Sequence, residues 1–570
     1  MKERPKPQTR EEQARLEIGH TEIGSGVKWM VFVAGLFSLF AVPAVQTCRE
    51  ALQHTEGIRD SPWPQCCDIF DALPRAAAVC SGHDGGWISK TFRSNAVLLQ
   101  AIGNFEKDLK AESFLTQVVL PPAQELLLHA GCGNEEGYVG RRRWLFYRPG
   151  IDYCTGRGFL SPRHMARRAQ SVAAWQPAPQ PDPRPAILQF HRQLAERNVR
   201  LVLMPTPDKA TIHPENFSSR YDGRRASIHN PSYRQFLDDL QSEGVLVCDV
   251  TDALVRYRDR SGDPGYLATD THWRPEAMES AAAELARTIQ EEIVLGAAAA
   301  DRRWHRSSKD VKNLGDVARM LKLRRNNQVF GEEVVTVRPV TDGAGEAWRP
   351  DPAAEILVLG DSFANIYSLE MMDWGGAAGL AEQLSFALNR PVDTILRNDD
   401  GAFATREMLS RELAQGEDRL AGKKVVVWQF AARELAAGDW KLCDMTLKQR
   451  RPPASRPLPA GRELIVGGTI AAKSAAPRPG QMPYAHHIFT LDLTDLHAHS
   501  GTLTDPKIAV YLFSMKDQQN TRAFSWPVGE RVKLKLQPWR PDFFRRYGRI
   551  NRTETDDKEL EHPWWGEVIE

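Results

Sequence analysis

The chain has 570 residues, 42% of them hydrophobic and 26% charged, which is the composition of a globular protein large enough for more than one domain. Its 74 basic and 73 acidic side chains leave a formal net charge of +1. This balance excludes polyanion binding driven by overall charge, and we predict no nucleic-acid partner.

An apolar segment near the N-terminus runs from Trp29 to Val45 without a charged residue. It is slightly shorter than the ~20 residues that span a bilayer, yet longer than the core of a typical signal peptide. We predict that residues 29–47 are an uncleaved transmembrane signal anchor; a cleaved signal peptide or a buried core helix are the alternatives. Because basic flanks stay inside, residues 1–28 are predicted to be a cytoplasmic tail, with the catalytic part in the periplasm of a single-pass inner-membrane protein.

Residues 48–135 are predicted to form a helical extension, because apolar residues recur at helical spacing from Ala96 to Phe105 and from Phe114 to Leu128. Six of the eight cysteines precede the sheet region, as is typical of disulfides in an oxidising compartment; they are Cys48, Cys66, Cys67, Cys80, Cys132 and Cys154. No Cys-x-x-Cys or His-x-x-x-His spacing is present, so no metal site is predicted from these residues.

After a proline-rich stretch at 177–185, predicted helices alternate with apolar strands. The predicted strands are Val199–Met204, Val245–Val250, Glu355–Leu359, Val392–Leu396 and Val425–Phe430. The predicted helices are Ala186–Ala195, Ser232–Glu243, Glu276–Glu292, Ala377–Asn389 and Thr405–Ala414. This alternation predicts an α/β fold with a largely parallel, doubly wound sheet.

One predicted strand is stopped by Gly360 and leaves Ser362 at its carboxyl end, the edge at which open α/β sheets bind ligands. A serine hydroxyl needs a base, and Asp270 and His272 lie in a loop just before the helix that begins near Pro275. The pattern predicts Ser362 as nucleophile, with its own N–H as an oxyanion donor, His272 as base and Asp270 as its orienting carboxylate. The alternatives are an ordinary turn beside an incidental loop, and a zinc or iron site for which no second histidine is placed.

Five stretches resemble motifs of the alginate O-acetyltransferase family, the AlgJ/AlgX-like proteins with an SGNH-hydrolase-like domain. They are Trp144–Tyr147, Pro205–Ala210, Thr269–Pro275, Gly360–Phe363 and Trp428–Leu435. The order of the elements also fits, because the Asp-x-His stretch precedes the serine as in this permuted family, whereas it follows the serine in common SGNH hydrolases. The resemblance covers roughly residues 95–440.

The resemblance implies an SGNH-like acetyltransferase domain over residues 136–448, which moves acetyl groups through a Ser-His-Asp acyl-enzyme onto hydroxyls of an exported polysaccharide. We predict no cofactor and no metal, and the apolar anchor predicts the inner membrane as a partner. The partners that the resemblance implies are the polysaccharide acceptor and a membrane-bound O-acyltransferase that supplies acetyl. A carbohydrate acetyl esterase that uses water as acceptor and a non-catalytic polysaccharide-binding scaffold are the alternative functions.

The same resemblance carries over Asp270, His272 and Ser362 as the catalytic triad. Further candidates for contacts with substrate or oxyanion are Asn398, Gly401, Arg433, Tyr367, Trp273 and Lys209. The alternatives are a loop brace for Arg433, a structural salt bridge for Lys209, and packing for Tyr367 and Trp273.

Residues 449–460 are rich in proline and are predicted to be a linker, after which the pattern changes. Residues 461–570 are predicted to be a small all-β domain, a barrel or sandwich, from four apolar runs that begin at Leu464, His487, Ile508 and Val532. We consider Trp526, Trp539 and Tyr484 as its polysaccharide contacts. The alternative is a domain that only packs beside the catalytic one.

Overall fold

In a computed structural model, the chain divides into two compact units, Met1–Leu120 and Pro121–Glu570. The described residues are 24–55, 63–71, 113–170, 178–222, 227–296, 304–324, 329–398, 401–449, 464–477, 484–500, 505–517, 519–539, 550–555 and 563–569, with single residues between these ranges. The cytoplasmic tail up to residue 23, much of the predicted helical segment 96–105, the linker from 450 to 460, and Cys80 lie outside the described residues.

The first unit contains one long apolar helix, Ser25–Thr55, which includes the whole predicted anchor. This helix is long and apolar enough to cross a membrane, a property that a signal sequence would share. A short 3-10 helix follows at Gln65–Asp71. The helix Phe114–His129 begins where the apolar spacing predicts it.

The cysteines do not follow the disulfide expectation. The seven that are described form no disulfide with one another; they are Cys48, Cys66, Cys67, Cys132, Cys154, Cys248 and Cys443. Cys154 is buried in the α/β core, and burial raises the pKa of its thiol to about 12, so this cysteine is an inert packing residue.

The second unit is built on a five-stranded parallel sheet with the order β4–β3–β5–β1–β2. The strands are β1 (Arg200–Thr206), β2 (Leu246–Val247), β3 (Ile356–Gly360), β4 (Asp393–Leu396) and β5 (Val425–Ala431). Strands β3 and β5 are buried along their whole length, which is why they appear in the sequence as continuous apolar runs.

Helices connect these strands; the main ones are Pro183–Ala195, Tyr233–Ser242, Thr251–Ser261, Pro275–Glu292, Leu380–Leu388 and Ala404–Ala414. Right-handed crossovers to both sides of β3 and β5 require helices on both faces of the sheet. Accordingly, Pro275–Glu292 packs against Leu380–Leu388, and Pro183–Ala195 packs against Tyr233–Ser242. The predicted doubly wound α/β fold is confirmed.

Strand β2 is shorter than the predicted run Val245–Val250, because the chain turns out of the sheet at Asp249. The Asp249 carboxylate accepts the N–H of Thr251 at 3.0 Å, which starts the helix Thr251–Ser261. Three short antiparallel pairs lie outside the parallel sheet; they are Gly137–Val139 with Leu145–Tyr147, Lys309–Asn313 with Glu333–Val337, and His305–Arg306 with Val340–Thr341.

The C-terminal region is a closed barrel of five strands, as the all-β prediction requires. They are β6 (Leu464–Lys473), β7 (His487–Ser500), β8 (Ile508–Lys516), β9 (Arg531–Pro538) and β10 (Trp564–Val568). The order β7–β6–β9–β10–β8 closes because β8 also pairs with β7. Alternate residues of β6 are buried, starting with Leu464, and form the barrel core.

The barrel contacts the α/β region through polar and apolar groups. Arg411, in the helix Ala404–Ala414, forms an ion pair with Glu554. Met371 of the α/β region packs against the barrel cluster that contains Tyr511 and Trp565. Met371 also lines a cavity together with Asp270 and His272, so the barrel borders the candidate site.

Candidate active site

The turn after β3 is fixed by Asp361. Its Oδ1 accepts the N–H of Phe363 at 2.9 Å, and its Oδ2 accepts the N–H of Ala431, at the end of β5, at 2.6 Å. The Gln429 side chain bonds both the N–H and the carboxylate of Asp361, at 3.0 and 2.9 Å. Ser362 therefore begins the short helix Ser362–Asn365 in a position set by two neighbouring strands.

Gly360 makes this tight turn possible. A Cβ at this position would lie 2.7 Å from Cβ of Ala364 and 3.1 Å from Oε1 of Gln429. Only glycine leaves room for the helix and for the glutamine that bonds Asp361.

The loop that carries Asp270 and His272 is held by residues from distant elements. The Glu333 carboxylate accepts the N–H groups of Ala268 and Thr269 at 2.8 and 2.7 Å, and the Thr269 hydroxyl at 2.6 Å. The indole of Trp273 donates to the carbonyl of Phe363 at 3.1 Å, which ties the loop directly to the serine turn.

The structure brings Ser362, His272 and Asp270 together in one hydrogen-bonded chain. His272 Nε2 lies 2.8 Å from Ser362 Oγ, and His272 Nδ1 lies 2.7 Å from Asp270 Oδ1. The three residues are 4%, 3% and 2% exposed, respectively, so the chain lies in a region of low dielectric. This is the nucleophile, base and orienter geometry of acyl transfer.

Asp270 is kept ionised although it is buried. Burial would raise its pKa, but hydrogen bonds and charge from His272 and the N–H groups of Asp316 and His272 hold it below its ordinary value. The Asp316 N–H and the Trp374 indole donate to Oδ2 at 3.0 and 3.1 Å. Because an ionised carboxylate only accepts, Nδ1 of neutral His272 must carry the proton, which leaves Nε2 free to accept the serine proton.

Asp316 is a second carboxylate at the site, which the sequence did not indicate. Burial and the charge of Asp270 raise the pKa of Asp316 to about 6. Ligand atoms of Asp270, His272 and Asp316 lie within 4.8 Å of one another, close enough to share a metal ion. Both ring nitrogens of His272 are already hydrogen-bonded, so a metal would have to displace Asp270 or Ser362 from the imidazole.

A cavity of about 20 Å³ lies beside the triad and is lined by Asp270, His272, Asp316, Arg319, Trp374 and Tyr484, among others. This volume suffices for a single water molecule. Tyr484 precedes β7 and is the barrel's contribution to this wall, and its hydroxyl donates to the carbonyl of Asn398 at 3.3 Å. A residue of the predicted C-terminal domain thus reaches the triad.

The charged groups of Arg433 and Lys209 both contact other parts of the protein. Arg433 pairs with the buried Asp208 at 3.0 Å, and its guanidinium lies over the rings of Tyr147 and Phe363. Lys209 donates to the carbonyls of Leu145 and Ala268 at 2.7 and 3.2 Å and forms no ion pair among the described residues. Burial lowers its pKa to about 8. The contacts of Arg433 match its structural alternative, a brace for the loop, whereas Lys209 is held by main-chain carbonyls and not by the salt bridge expected for it.

Trp273 and Tyr367 are fully buried, at 0% exposure, and so offer no open face to a sugar. The Tyr367 hydroxyl donates to the carbonyl of Trp273 at 2.6 Å. Both residues hold the catalytic loop against the helix that begins at Ser362, which is the supporting role considered for each.

The two oxyanion candidates after β4 are engaged elsewhere. Asn398 accepts from Asn365 at 2.8 Å and donates to the sulfur of Met372 at 3.5 Å. Gly401 has a positive φ of 64° and packs against Glu434. Neither has a described hydrogen bond to Ser362, and their role as oxyanion donors stays a prediction.

Of the three barrel aromatics predicted as polysaccharide contacts, only Tyr484 lines the cavity. Trp526 belongs to the barrel core and is 8% exposed. Trp539 packs against Tyr511 and Trp565. Sequence reasoning missed Asp316 and Trp374, because a Gly-Asp turn and a tryptophan in a glycine-rich loop carry no signal of their tertiary neighbours.

The parallel α/β sheet carries a serine at the end of a strand, and an Asp-x-His loop from earlier in the chain lies beside it. Together these features define an SGNH-like fold with a serine as the candidate nucleophile. The family model described as the SGNH hydrolase-like domain of acetyltransferase AlgX matches residues 138–432, and this chain belongs to that family. The family resemblance found in the motifs is confirmed.

Curated relatives are named probable alginate O-acetylase AlgJ. The protein from Azotobacter vinelandii is 35% identical over 106 residues, which are 18% of this chain and 26% of the relative. The protein from Pseudomonas fluorescens is 25% identical over 253 residues, 43% of this chain and 59% of the relative. The chain therefore spans less than two thirds of the length of these relatives.

The O-acetyltransferase domain of Pseudomonas putida AlgJ is a similar solved structure, with 19% identity and a TM-score of 0.38. The match covers 53% of this chain and 92% of that domain.

Proposed function

We propose that this protein is a polysaccharide O-acetyltransferase that carries acetyl on Ser362. The observation that supports it most is the chain of hydrogen bonds from Asp270 through His272 to Ser362, at 2.7 and 2.8 Å. Membership of the AlgX acetyltransferase family supports the acyl group as acetyl. The names of the AlgJ relatives support an exported polysaccharide as the acceptor.

In the first step, Ser362 Oγ attacks the carbonyl carbon of an acetyl donor while its proton passes to His272 Nε2. Collapse of the tetrahedral intermediate breaks the bond to the donor's leaving group, which takes the proton from His272. The backbone N–H of Ser362, at the first position of its helix, is one donor for the oxyanion. Ionised Asp270 stabilises the imidazolium that forms between these two proton transfers.

In the second step, a sugar hydroxyl gives its proton to His272 Nε2 and attacks the acetyl carbon. The Ser362 ester bond breaks, and the serine recovers its proton from His272. Water is the competing nucleophile. The 4% exposure of Ser362 favours transfer, because the site admits little bulk water when the acetyl-enzyme forms.

The cellular arrangement is part of the same proposal. The helix Ser25–Thr55 anchors the chain in the inner membrane as a single span, with the catalytic part in the periplasm. An acetyl donor must then be delivered across the membrane, and a membrane-bound O-acyltransferase is the partner that would supply it. The proposed division is a tail at 1–28, an anchor at 29–47, an extension at 48–135, the acetyltransferase domain at 136–448, a linker at 449–460 and the barrel domain at 461–570.

The full-length chain, purified in a mild detergent, is incubated with a chromogenic acetyl ester, with and without glycan acceptors. We expect ester turnover that accelerates with a suitable acceptor and yields acetylated glycan. Ser362→Ala and His272→Ala should each lower turnover by roughly 10³-fold or more. Ser280→Ala is the matched control, because its hydroxyl only bonds the carbonyl of Glu276 within its helix.

The alternatives give different results. Turnover that no acceptor changes would point to a carbohydrate esterase, and glycan binding without turnover would point to a scaffold. Full activity of the Ser362 and His272 variants would refute the triad.

A further inference from the structure

Asp316 contacts both members of the Asp270–His272 pair. Its main-chain N–H donates to Asp270 Oδ2 at 3.0 Å. Its side-chain Oδ2 lies 3.9 Å from His272 Nδ1, the ring nitrogen that bonds Asp270 at 2.7 Å. The imidazole therefore faces two carboxylates on its Nδ1 side and the serine on its Nε2 side.

The position of this second carboxylate is tightly fixed. Its Oδ1 accepts the N–H groups of Thr271 and Val317, both at 2.7 Å. A Cβ on Gly315 would lie 2.2 Å from the carbonyl carbon of Thr269, so the two backbones touch directly. The Ala318 N–H also donates to the Thr269 carbonyl at 3.2 Å. The Asp316 turn and the catalytic loop thus form one packed unit.

Other charged groups face Asp316 from each neighbouring element. Arg319, on the same short helix, pairs with Asp373 at 3.6 Å and also donates to Asn313. Lys209, on the other side of the catalytic loop, is held by main-chain carbonyls. The negative charge of Asp316 contributes to raising the pKa of Tyr147. Tyr484 of the barrel lines the cavity beside the triad together with Asp316.

We propose that Asp316 is a positioning residue whose second negative charge stabilises the His272 imidazolium while Ser362 Oγ is deprotonated. The transferred proton moves from Ser362 Oγ to His272 Nε2 and then to the leaving group, while Nδ1 keeps its own proton. Asp316 takes no part in the transfer. The inference rests on the acyl-enzyme chemistry proposed above. It assigns a role in that chemistry to a residue outside the triad.

The ionisation of Asp316 makes this role depend on pH. Burial and the charge of Asp270 raise its pKa to about 6, partly offset by His272. The second charge is therefore present above this pH and lost below it. Asp270, whose pKa is held below its ordinary value, stays ionised throughout this range.

Asp316→Asn removes the negative charge but keeps the hydrogen bonds that fix the side chain, because an asparagine oxygen can still accept from the N–H groups of Thr271 and Val317. Two rates are measured against pH on the full-length chain: kcat/KM for the acetyl ester, and inactivation by a sulfonyl fluoride that labels an activated serine. Losing a nearby negative charge lowers the pKa of an imidazolium, so the acidic limb of both profiles should move down by about one pH unit. The plateau rate should fall roughly tenfold, as the base weakens.

Asp373→Asn is the control, since Asp373 is an exposed carboxylate that lines the same cavity and pairs with Arg319. Asparagine also tolerates its left-handed backbone conformation, with φ of 61°. This variant should leave the acidic limb in place.

The proposal is wrong if Asp316→Asn has the pH profiles of the wild type while Asp316→Ala loses activity. Asp316 would then only hold the loop in place. The sulfonyl fluoride arm keeps this result separate from the acetyltransferase assignment. A shifted inactivation profile without transfer to any glycan would support Asp316 and refute the transferase, whereas an unreactive Ser362 in the wild type would refute both.

Discussion

Trp374 donates its indole N–H to Oδ2 of Asp270 at 3.1 Å, the carboxylate oxygen that His272 does not use. The two side chains are buried, with exposures of 2% each. Asp270 is thus held at both oxygens. The orientation of the His272 ring depends on a tryptophan that follows the serine turn.

Trp374→Phe removes this donor but keeps most of the aromatic volume. A hydrogen bond to a buried charged group contributes about 2 kcal/mol, so we expect a comparable loss in the free energy of unfolding at pH 7. Because the pKa of Asp270 is depressed in the folded state, this loss should shrink as acid protonates the carboxylate. kcat for the acetyl ester should fall roughly tenfold with little change in KM, since an unrestrained carboxylate orients the base less well.

Trp440→Phe is the matched control for this effect. Its indole is also buried and donates at 3.1 Å, but to the neutral carbonyl of Glu434. Denaturant unfolding should show a smaller loss that does not depend on pH, and kcat should be unchanged. Equal effects of the two variants on kcat would contradict a specific role for Trp374.

Arg433 is expected to act through stability. Arg433→Met leaves Asp208 buried without its partner, and an uncompensated buried charge costs about 3–5 kcal/mol. The double variant Arg433→Met with Asp208→Asn should recover much of that loss in denaturant unfolding. A substrate-binding arginine would behave differently: KM would rise while the midpoint of unfolding stayed the same.

Tyr484 connects the barrel to the site. Tyr484→Ala enlarges the cavity beside His272, and we expect more water at the acetyl-enzyme, so that hydrolysis increases relative to transfer by roughly threefold or more. The ratio of free acetate to acetylated glycan measures this change.

Tyr484→Phe tests whether the hydrogen bond to Asn398 matters separately from volume. Tyr511→Phe, which removes a barrel hydroxyl bonded to Glu554 at 3.1 Å, serves as a control away from the cavity. An unchanged ratio in Tyr484→Ala would mean that the barrel does not shape the reaction.

A chelator is expected to leave ester turnover unchanged. Asp270, His272 and Asp316 lie within metal-binding distance of one another, yet the hydrogen bonds of the imidazole occupy both of its nitrogens. Dialysis against EDTA followed by the acetyl ester assay checks this. Loss of turnover that zinc restores would replace the serine mechanism with a metal site.

Much of the α/β fold could be predicted from local pattern. Largely apolar runs identified β1, β3 and β5, because a strand buried on both faces has no polar side. Strand β2 is shorter than predicted, because the apolar run continues to Val250 while the strand ends at Val247. The Asp249 carboxylate instead bonds the N–H of Thr251, at the start of the next helix. The pair of strands at 309–313 and 333–337 was missed, because the first strand is mostly polar and exposed and so gives no apolar pattern.

By itself the sequence determined the parallel sheet, an all-β C-terminal domain and a site that joins Ser362 to the Asp270–His272 loop, because strand periodicity and turn chemistry are encoded in neighbouring residues. The choice between a barrel and a sandwich stayed open until the pairing of β8 with β7 was seen. Only the tertiary structure decided which groups surround that triad. Asp316 and Trp374 reach Asp270 across 46 and 104 residues of chain, and Tyr484 reaches the cavity from another domain. Such neighbours follow from how whole elements pack, and packing is set by many weak contacts at once, which no local pattern records.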